Sequence, residues 1–113
     1  MLVVEDEPLI ALDISDELTH AGYNVLTAAN ADEAIVLLEK RSDIATIFTD
    51  IDMPGSMNGL KLAAAVRKRW PPVNIIITTG KRPPTAADMP ERSLFLAKPY
   101  QAVEVVKALE ACS

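Results

Sequence analysis

Four short segments, far apart in the chain, carry the residue types that chemistry on a phosphoryl group requires. Each follows a short run of apolar, mostly β-branched residues. The segments are Glu5-Asp6, Asp50, Thr79-Gly80 and Lys98-Pro99. In an open parallel sheet the carboxyl ends of the strands share one edge, and ligands bind in the crevice there. Three carboxylates, a hydroxyl and an ammonium at that edge suit a hard divalent cation and a phosphoryl group.

Asp50 is the candidate nucleophile of this set. It follows the apolar run Ile47-Phe48-Thr49, where a carboxylate without partners is costly to bury. Carboxylates form aspartyl-phosphate intermediates in other proteins. Because the nucleophile and the incoming phosphoryl group are both anionic, nearby cations must offset their repulsion. We expect Mg²⁺ to supply most of that charge, held by oxygen ligands, and the ammonium of Lys98 to supply the rest.

Thr79 supplies a hydroxyl that can donate a hydrogen bond to a phosphoryl oxygen, and Gly80 has no side chain to block the approach. Each residue also has a simpler interpretation when it is taken alone. Glu5-Asp6 is typical of solvated charge before a helix, Thr79 of strand packing and Lys98 of surface charge. The prediction of one site therefore depends on all four segments ending strands in this order.

Five strand-like runs must position these segments. They comprise residues 2–4, 24–28, 44–49, 74–79 and 94–97. The third and fourth are short apolar runs bounded by polar or turn residues, as strands buried on both faces require.

Helical apolar periodicity fills most of the gaps between the strands. The stripes are Ile10-Ile14-Leu18, Ala34-Ile35-Leu38, Leu62-Val66-Trp70 and Val103-Val106-Leu109. Pro8 suits a first helical turn, Gly22 is a stop signal, and Asn30 with Glu33 resembles a capping box. We interpret the run Arg67-Lys68-Arg69 as a solvated helix face.

The gap before the fifth strand contains Pro83, Pro84 and Pro90, which leave room for no more than a short helix near residues 85–89. Alternating strands and helices predict right-handed βαβ units and a parallel sheet covered on both faces. The sequence therefore predicts one α/β domain over residues 1–113. We expect a doubly wound, flavodoxin-like sheet with strand order 2-1-3-4-5 and an irregular or short fourth helix.

Composition narrows the class of protein further. A net charge of −5 over 113 residues argues against direct contact with nucleic acid or an anionic membrane. The first residues lack the basic start and long apolar stretch of a signal peptide. The single cysteine, Cys112, fits a reducing compartment. We therefore expect a cytoplasmic protein that acts on neither nucleic acid nor membrane directly.

Four stretches of sequence carry a family resemblance. They read LVVEDEP at residues 2–8, FTDIDMPG at 48–55, IIITTG at 75–80 and FLAKPY at 95–100. Over nearly its whole length the chain resembles the CheY-like receiver domain of two-component response regulators. The resemblance implies that Asp50 accepts a phosphoryl group from a sensor histidine kinase or a histidine phosphotransfer protein.

The resemblance also implies a metal site and a phosphoryl contact. It places Mg²⁺ on Asp6, Asp50 and the backbone carbonyl of Asp52, with Glu5 bound through water. It makes Lys98 a bridge to the phosphoryl group, next to a cis peptide bond with Pro99.

A switch and two tuning positions follow from the same resemblance. Thr79 and Phe95 are the implied switch residues, and Asp52 and Lys81 occupy the positions that tune dephosphorylation. The chain would catalyse only its own phosphorylation and dephosphorylation, and it would signal to a downstream protein target. We expect a monomer or a weak, phosphorylation-dependent dimer.

Three departures from the family pattern stand out. The loop after Met53-Pro54 is longer, because Gly55-Ser56-Met57 precedes Asn58-Gly59. The stretch between Thr79 and Lys98 is short and proline-rich at residues 83–90, which puts in doubt the usual signalling face and the dimer across it. The chain also begins almost directly on the first strand.

Other functions remain open at the level of sequence. The chain fits a stand-alone receiver and a receiver excised from a hybrid kinase or a longer regulator equally well. Asp50 and Asp52 match the Asp-x-Asp pattern of haloacid-dehalogenase-type phosphatases, although that pattern typically follows the first strand. A flavodoxin-like cofactor binder is disfavoured, because the acidic segment 5–7 has the wrong charge to cradle a phosphate.

Overall fold

The computed structural model describes residues 1–53, 57–80, 84–85 and 87–112. The elements in chain order are β1 (Leu2–Val4), α1 (Pro8–His20), β2 (Leu26–Ala28), α2 (Ala31–Lys40), β3 (Thr46–Asp50), α3 (Gly59–Arg69), β4 (Asn74–Thr79), β5 (Ser93–Ala97) and α4 (Ala102–Cys112). All five predicted strands are present. β1 and β4 have the predicted bounds, and the other three differ by one or two residues at their ends.

The strands form one parallel sheet in the order β2-β1-β3-β4-β5, which confirms the predicted topology. β3 lies at the centre, with β1 on one side and β4 on the other. The register pairs Val4 with Thr49, Asp50 with Thr78, and Thr79 with Ala97. The carboxyl ends of four strands therefore meet along one edge of the sheet.

Helices cover both faces of the sheet, as predicted. On one face α2 and α3 pack on β-strand residues, and this cluster includes Leu38, Leu62 and Ile75. On the other face α1 and α4 pack on the sheet, and this cluster includes Leu18 and Val105. None of the helices in the described part of the chain has the length and apolar character that crossing a membrane requires.

The predicted helix signals are confirmed where side-chain bonds test them. Asn30 Oδ1 accepts from the Glu33 amide at 2.9 Å, and the Glu33 carboxylate accepts from the Ala29 amide at 3.4 Å. Gly22 follows α1 with φ of +101°, a conformation that glycine adopts without steric cost. These two side-chain hydrogen bonds fix the start of α2 at Ala31, three residues after the end of β2.

Two predicted core positions are wrong. Ile10 is 38% exposed and Val103 is 53% exposed, whereas Ala11 and Val105 are buried. Ile14, Leu18 and Leu109 are buried as predicted. The stripes therefore differ from the predicted ones near the start of each helix, where contact with the sheet and not apolar spacing alone decides which residues face inward.

The described residues of the connection between β4 and β5 form no helix or strand, as expected. Residues 87–92 consist mostly of turns and bends, and the Asp88 amide donates to the Thr85 carbonyl at 3.0 Å. The Asp88 carboxylate accepts from the amide and the hydroxyl of Thr85. The short helix expected near residues 85–89 includes Ala86, which lies outside the described residues. So do Gly55 and Ser56 of the longer loop after β3.

Arg67 is not a solvated charge, contrary to the sequence interpretation. Its guanidinium donates to the carbonyls of Glu91 at 2.9 Å, Pro71 at 2.5 Å and Val73 at 2.9 Å, and to Arg92 at 3.4 Å. It therefore ties the irregular segment before β5 to the turn before β4. Arg69 also has partners: Glu39 at 2.6 Å and the ring of Trp70 at 4.4 Å.

We predict that Arg67→Ala lowers the free energy of unfolding by about 2 kcal/mol, because it removes the hydrogen bonds that tie the segment before β5 to the turn before β4. Arg67→Lys should recover only part of the loss, since an ammonium does not reproduce the planar fork of donors. Urea denaturation measures the change, and Lys68→Ala, at an exposed neighbouring position, should change stability by less than about 0.5 kcal/mol. Equal losses at both positions would contradict the role assigned to Arg67.

Candidate functional site

The structure brings the four predicted segments together at the carboxyl edge of the sheet. Glu5 follows β1, Asp50 ends β3, Thr79 ends β4 and Lys98 follows β5. Backbone hydrogen bonds join the neighbouring strand ends there: the Ile51 amide donates to Thr78 at 2.9 Å, and the Lys98 amide donates to Thr79 at 3.0 Å. The prediction that these residues share one edge is therefore confirmed.

Asp50 is nearly buried, at 3% exposure, and both its carboxylate oxygens have donors. Lys98 Nζ lies 2.6 Å from Oδ2, and the Asp52 amide donates to Oδ1 at 3.0 Å. The peptide bond between Lys98 and Pro99 is cis, as the family resemblance implies. An ammonium and a backbone amide thus hold the carboxylate in one orientation.

Two further carboxylates lie beside Asp50. One oxygen each of Glu5, Asp6 and Asp50 lies within 4.8 Å of the others. Glu5 is 5% exposed and its Oε2 lies 3.8 Å from Lys98 Nζ. Three clustered carboxylate oxygens are the hard donors that Mg²⁺ prefers. The acidic pocket is therefore compatible with Mg²⁺.

Burial and charge at this edge shift three pKa values. Burial raises the pKa of Glu5 to about 7, although the Glu7 amide and the charge of Lys98 act to lower it. Burial lowers the pKa of Lys98, but the hydrogen bond and charge of Asp50 outweigh this and leave that pKa above its usual value. Burial, followed by the charge of Glu5, raises the pKa of Tyr100 to about 12. Lys98 thus stays charged and Tyr100 stays neutral at neutral pH.

Thr79 is buried, and its hydroxyl donates to Asp52 Oδ2 at 2.5 Å. The family resemblance implies that the backbone carbonyl of Asp52 binds the metal and that Asp52 tunes dephosphorylation, but it does not link Asp52 to Thr79. The two residues are 27 positions apart, and no local pattern predicts such a contact. Asp52 therefore touches both the candidate nucleophile and the candidate switch residue.

Gly59 is a second feature that sequence reasoning missed. A Cβ at this position would lie 2.1 Å from the Asp50 carbonyl oxygen and 2.8 Å from Ile51 Cα. The Gly59 amide also donates to the Ile51 carbonyl at 3.0 Å. The first turn of α3 therefore sits directly on the backbone that carries Asp50, and only glycine leaves room for it.

Three other predicted residues are not described in contact with Asp50. Phe95 is half-buried on β5, opposite Ile77 of β4. Lys81 lies outside the described residues. A Cβ at Gly80 would meet the Lys98 side chain at 3.6 Å, which is an ordinary contact, so packing within the protein does not require glycine there.

Comparison with known proteins identifies relatives of this chain. The family model of the response regulator receiver domain matches residues 1–110. The chain is 34% identical over 116 residues to the chemotaxis protein CheY homolog of Campylobacter jejuni, a match that covers 97% of this chain and 88% of that protein. It is 29% identical over 106 residues to the phyllosphere-induced regulator PhyR of Methylorubrum extorquens.

The match to PhyR covers 93% of this chain but 40% of that protein, so the chain spans less than half of this longer relative. Among solved structures it is similar to the response regulator TrrA of Thermotoga maritima in complex with Mg²⁺ and BeF. The TM-score is 0.85 at 27% identity, covering 99% of this chain and 96% of that one.

We predict that Gly59→Ala lowers the free energy of unfolding by about 3 kcal/mol, because the new Cβ forces α3 away from the backbone of Asp50. Urea denaturation gives the size of the loss. Gly80→Ala is the matched control and should cost less than about 0.5 kcal/mol. Similar stabilities for the two variants would show that α3 does not depend on this close approach.

We predict that the affinity for Mg²⁺ rises as pH increases through about 7, because Glu5 must lose its proton beside a cation. Glu5 has a pKa of about 7 in the folded protein, against a usual value of 4.5. In the metal-free protein its contribution to stability is therefore fully present below about pH 4.5 and is lost as the pH rises through about 7. Calorimetric titration between about pH 6 and about pH 8 measures both the affinity and the proton release. Glu5→Gln should flatten the pH dependence, whereas a flat profile in the unaltered protein would contradict the prediction.

Proposed function

This chain belongs to the family of response regulator receiver domains of two-component systems, and from that premise we propose that it accepts a phosphoryl group on Asp50. The donor is the phosphohistidine of a sensor histidine kinase or a histidine phosphotransfer protein. The observation that carries the proposal is the Lys98 ammonium 2.6 Å from a nearly buried Asp50 carboxylate. A phosphoacceptor needs this combination of an oriented anion and a fixed cation.

The transfer is a displacement at phosphorus. A carboxylate oxygen of Asp50 forms the new O–P bond, the N–P bond to the donor histidine breaks, and the leaving imidazole keeps that electron pair and takes a proton. The strand ends contribute orientation, because Lys98 and the Asp52 amide fix the two carboxylate oxygens before the donor arrives. Such preorganisation avoids the cost of reorienting these groups during the reaction.

The residues present fit a magnesium ion. We assign its protein ligands to the carboxylates of Asp6 and Asp50 and the backbone carbonyl of Asp52, with Glu5 bound through water. The clustering of three carboxylate oxygens within 4.8 Å supports this assignment. When bound, Mg²⁺ supplies positive charge that offsets the repulsion between the carboxylate and the phosphoryl oxygens.

Lys98 and Thr79 act on the phosphoryl group after transfer in this proposal. Lys98 bridges to a phosphoryl oxygen, since its ammonium already lies beside Asp50. Thr79 ends the adjacent strand, and its hydroxyl turns from Asp52 to donate to another phosphoryl oxygen. Phe95, on the strand paired with β4, moves with Thr79, and Asp52 and Lys81 tune how long the phosphoryl group persists.

The output is a change in protein–protein contact. Receiver domains interact with kinases or phosphotransfer proteins and with downstream targets, and we propose the same two kinds of partner here. The chain then works as a signalling module that acts on its own aspartate, as a monomer or a weak phosphorylation-dependent dimer. The family match supports this function over a haloacid-dehalogenase-type phosphatase that uses Asp50 and Asp52.

We predict that acetyl phosphate with Mg²⁺ adds a single phosphoryl group, visible by intact-mass spectrometry. Asp50→Asn should abolish the adduct because it removes the nucleophile, and chelation of Mg²⁺ should strongly reduce it. Asp16→Asn, at an exposed position of α1, is the matched control and should label fully. An adduct that persists in Asp50→Asn would overturn the assignment of the acceptor.

A further inference from the structure

We propose that the Asp52 carboxylate is a positioning residue that holds the Thr79 hydroxyl and so opposes the phosphorylated state. The inference rests on the function proposed above, and it states that the Asp52 carboxylate disfavours the phosphorylated state. In the structure the hydroxyl donates to Asp52 Oδ2 at 2.5 Å. Thr79 is 2% exposed and Asp52 is half-buried, so this bond is partly shielded from water.

A hydroxyl has one hydrogen, so it donates one strong hydrogen bond at a time. Donation from Thr79 to Asp52 and donation from Thr79 to a phosphoryl oxygen therefore exclude each other. In the structure the sheet holds the backbone of Thr79, which pairs with Ala97 and whose carbonyl accepts from the Lys98 amide at 3.0 Å, so we expect the side chain to make the change. The side chain of Thr79 must therefore release Asp52 before it reaches the phosphoryl group.

The bond to Asp52 lowers the free energy of the resting state alone. A phosphoryl group shifts the equilibrium only by the difference in its interactions with the two states, and the lost Thr79–Asp52 bond reduces that difference. A hydrogen bond to a charged acceptor is among the stronger ones in proteins. Removing the Asp52 carboxylate should therefore favour the phosphoryl-bound state.

Simple charge repulsion between Asp52 and the phosphoryl group would act in the same direction, so the two causes must be separated. Repulsion depends on the charge of Asp52 and not on Thr79. The hydrogen bond depends on both side chains and survives in part when an amide oxygen replaces the carboxylate. A double-mutant cycle with Thr79 distinguishes these causes.

The experiment measures the affinity for beryllofluoride, a phosphoryl mimic, at saturating Mg²⁺ by calorimetry or ¹⁹F NMR. We expect Asp52→Ala to bind about tenfold more tightly than the unaltered protein. Asp52→Asn should gain less, because its amide oxygen still accepts from Thr79. In the Thr79→Val background Asp52→Ala should bring no gain, which a merely structural role of Asp52 would not produce.

Each outcome bears on the proposal. A gain from Asp52→Ala that is equally large in the Thr79→Val background, or equal gains for Asp52→Ala and Asp52→Asn, would overturn it in favour of charge repulsion. If no Asp52 variant binds more tightly, the role proposed for Asp52 is wrong. The phosphoacceptor function would still stand in that case if the unaltered protein binds beryllofluoride and Asp50→Asn does not. Failure of the unaltered protein to bind beryllofluoride would overturn both proposals. Should Asp52→Ala not fold, Asp52→Asn carries the same cycle.

Discussion

The rest of the site depends on one ion pair, in which the partly exposed Lys98 ammonium lies 2.6 Å from the nearly buried Asp50 carboxylate. Asp50 and Glu5 are both nearly buried at the same edge of the sheet, and removing two carboxylates from water costs several kcal/mol unless a cation lies close. Lys98 reaches both of them. Replacing such a pair by apolar residues of similar volume is often neutral or stabilising, so stability alone does not account for these charges, and they agree with the phosphoryl transfer proposed above.

The parallel sheet is what allows charges from distant parts of the chain to meet. Every strand presents its carboxyl end at the same edge, so residues that follow β1, β3, β4 and β5 become neighbours. Close packing then fixes the spacing: α3 approaches the backbone of Asp50 at Gly59, where a Cβ would lie 2.1 Å from the carbonyl oxygen. The position of Asp50 is thus set by helix–strand contact as well as by its own hydrogen bonds.

Sequence predicted the features that depend on local pattern. The strand runs, the capping box at Asn30 and the edge shared by Asp50 and Lys98 follow from apolar periodicity and from the rules of parallel sheets. Sequence predicted that Ile14 and Leu18 of α1 are buried but not that Ala11 takes the place of Ile10, because both are apolar and only contact with the rest of the fold separates them. Nor could it predict that Arg67 would bind the carbonyls of the segment before β5, because that bond joins residues 24 and 25 positions apart.

The contacts around Asp50 form a closed ring, through which the phosphorylation proposed for Asp50 would reach a neighbouring strand. Asp50 is bonded to Lys98 and to the Asp52 amide, the Asp52 carboxylate to the Thr79 hydroxyl, and the Thr79 carbonyl to the Lys98 amide. Both oxygens of Asp50 are engaged, so the proposed bond to phosphorus at either oxygen would change one of these contacts. A change at the Asp52 contact would affect Thr79 at the end of β4, and a change at the Lys98 contact would affect the residue after β5. Both routes lead to the neighbouring strands β4 and β5, and Phe95 lies on β5.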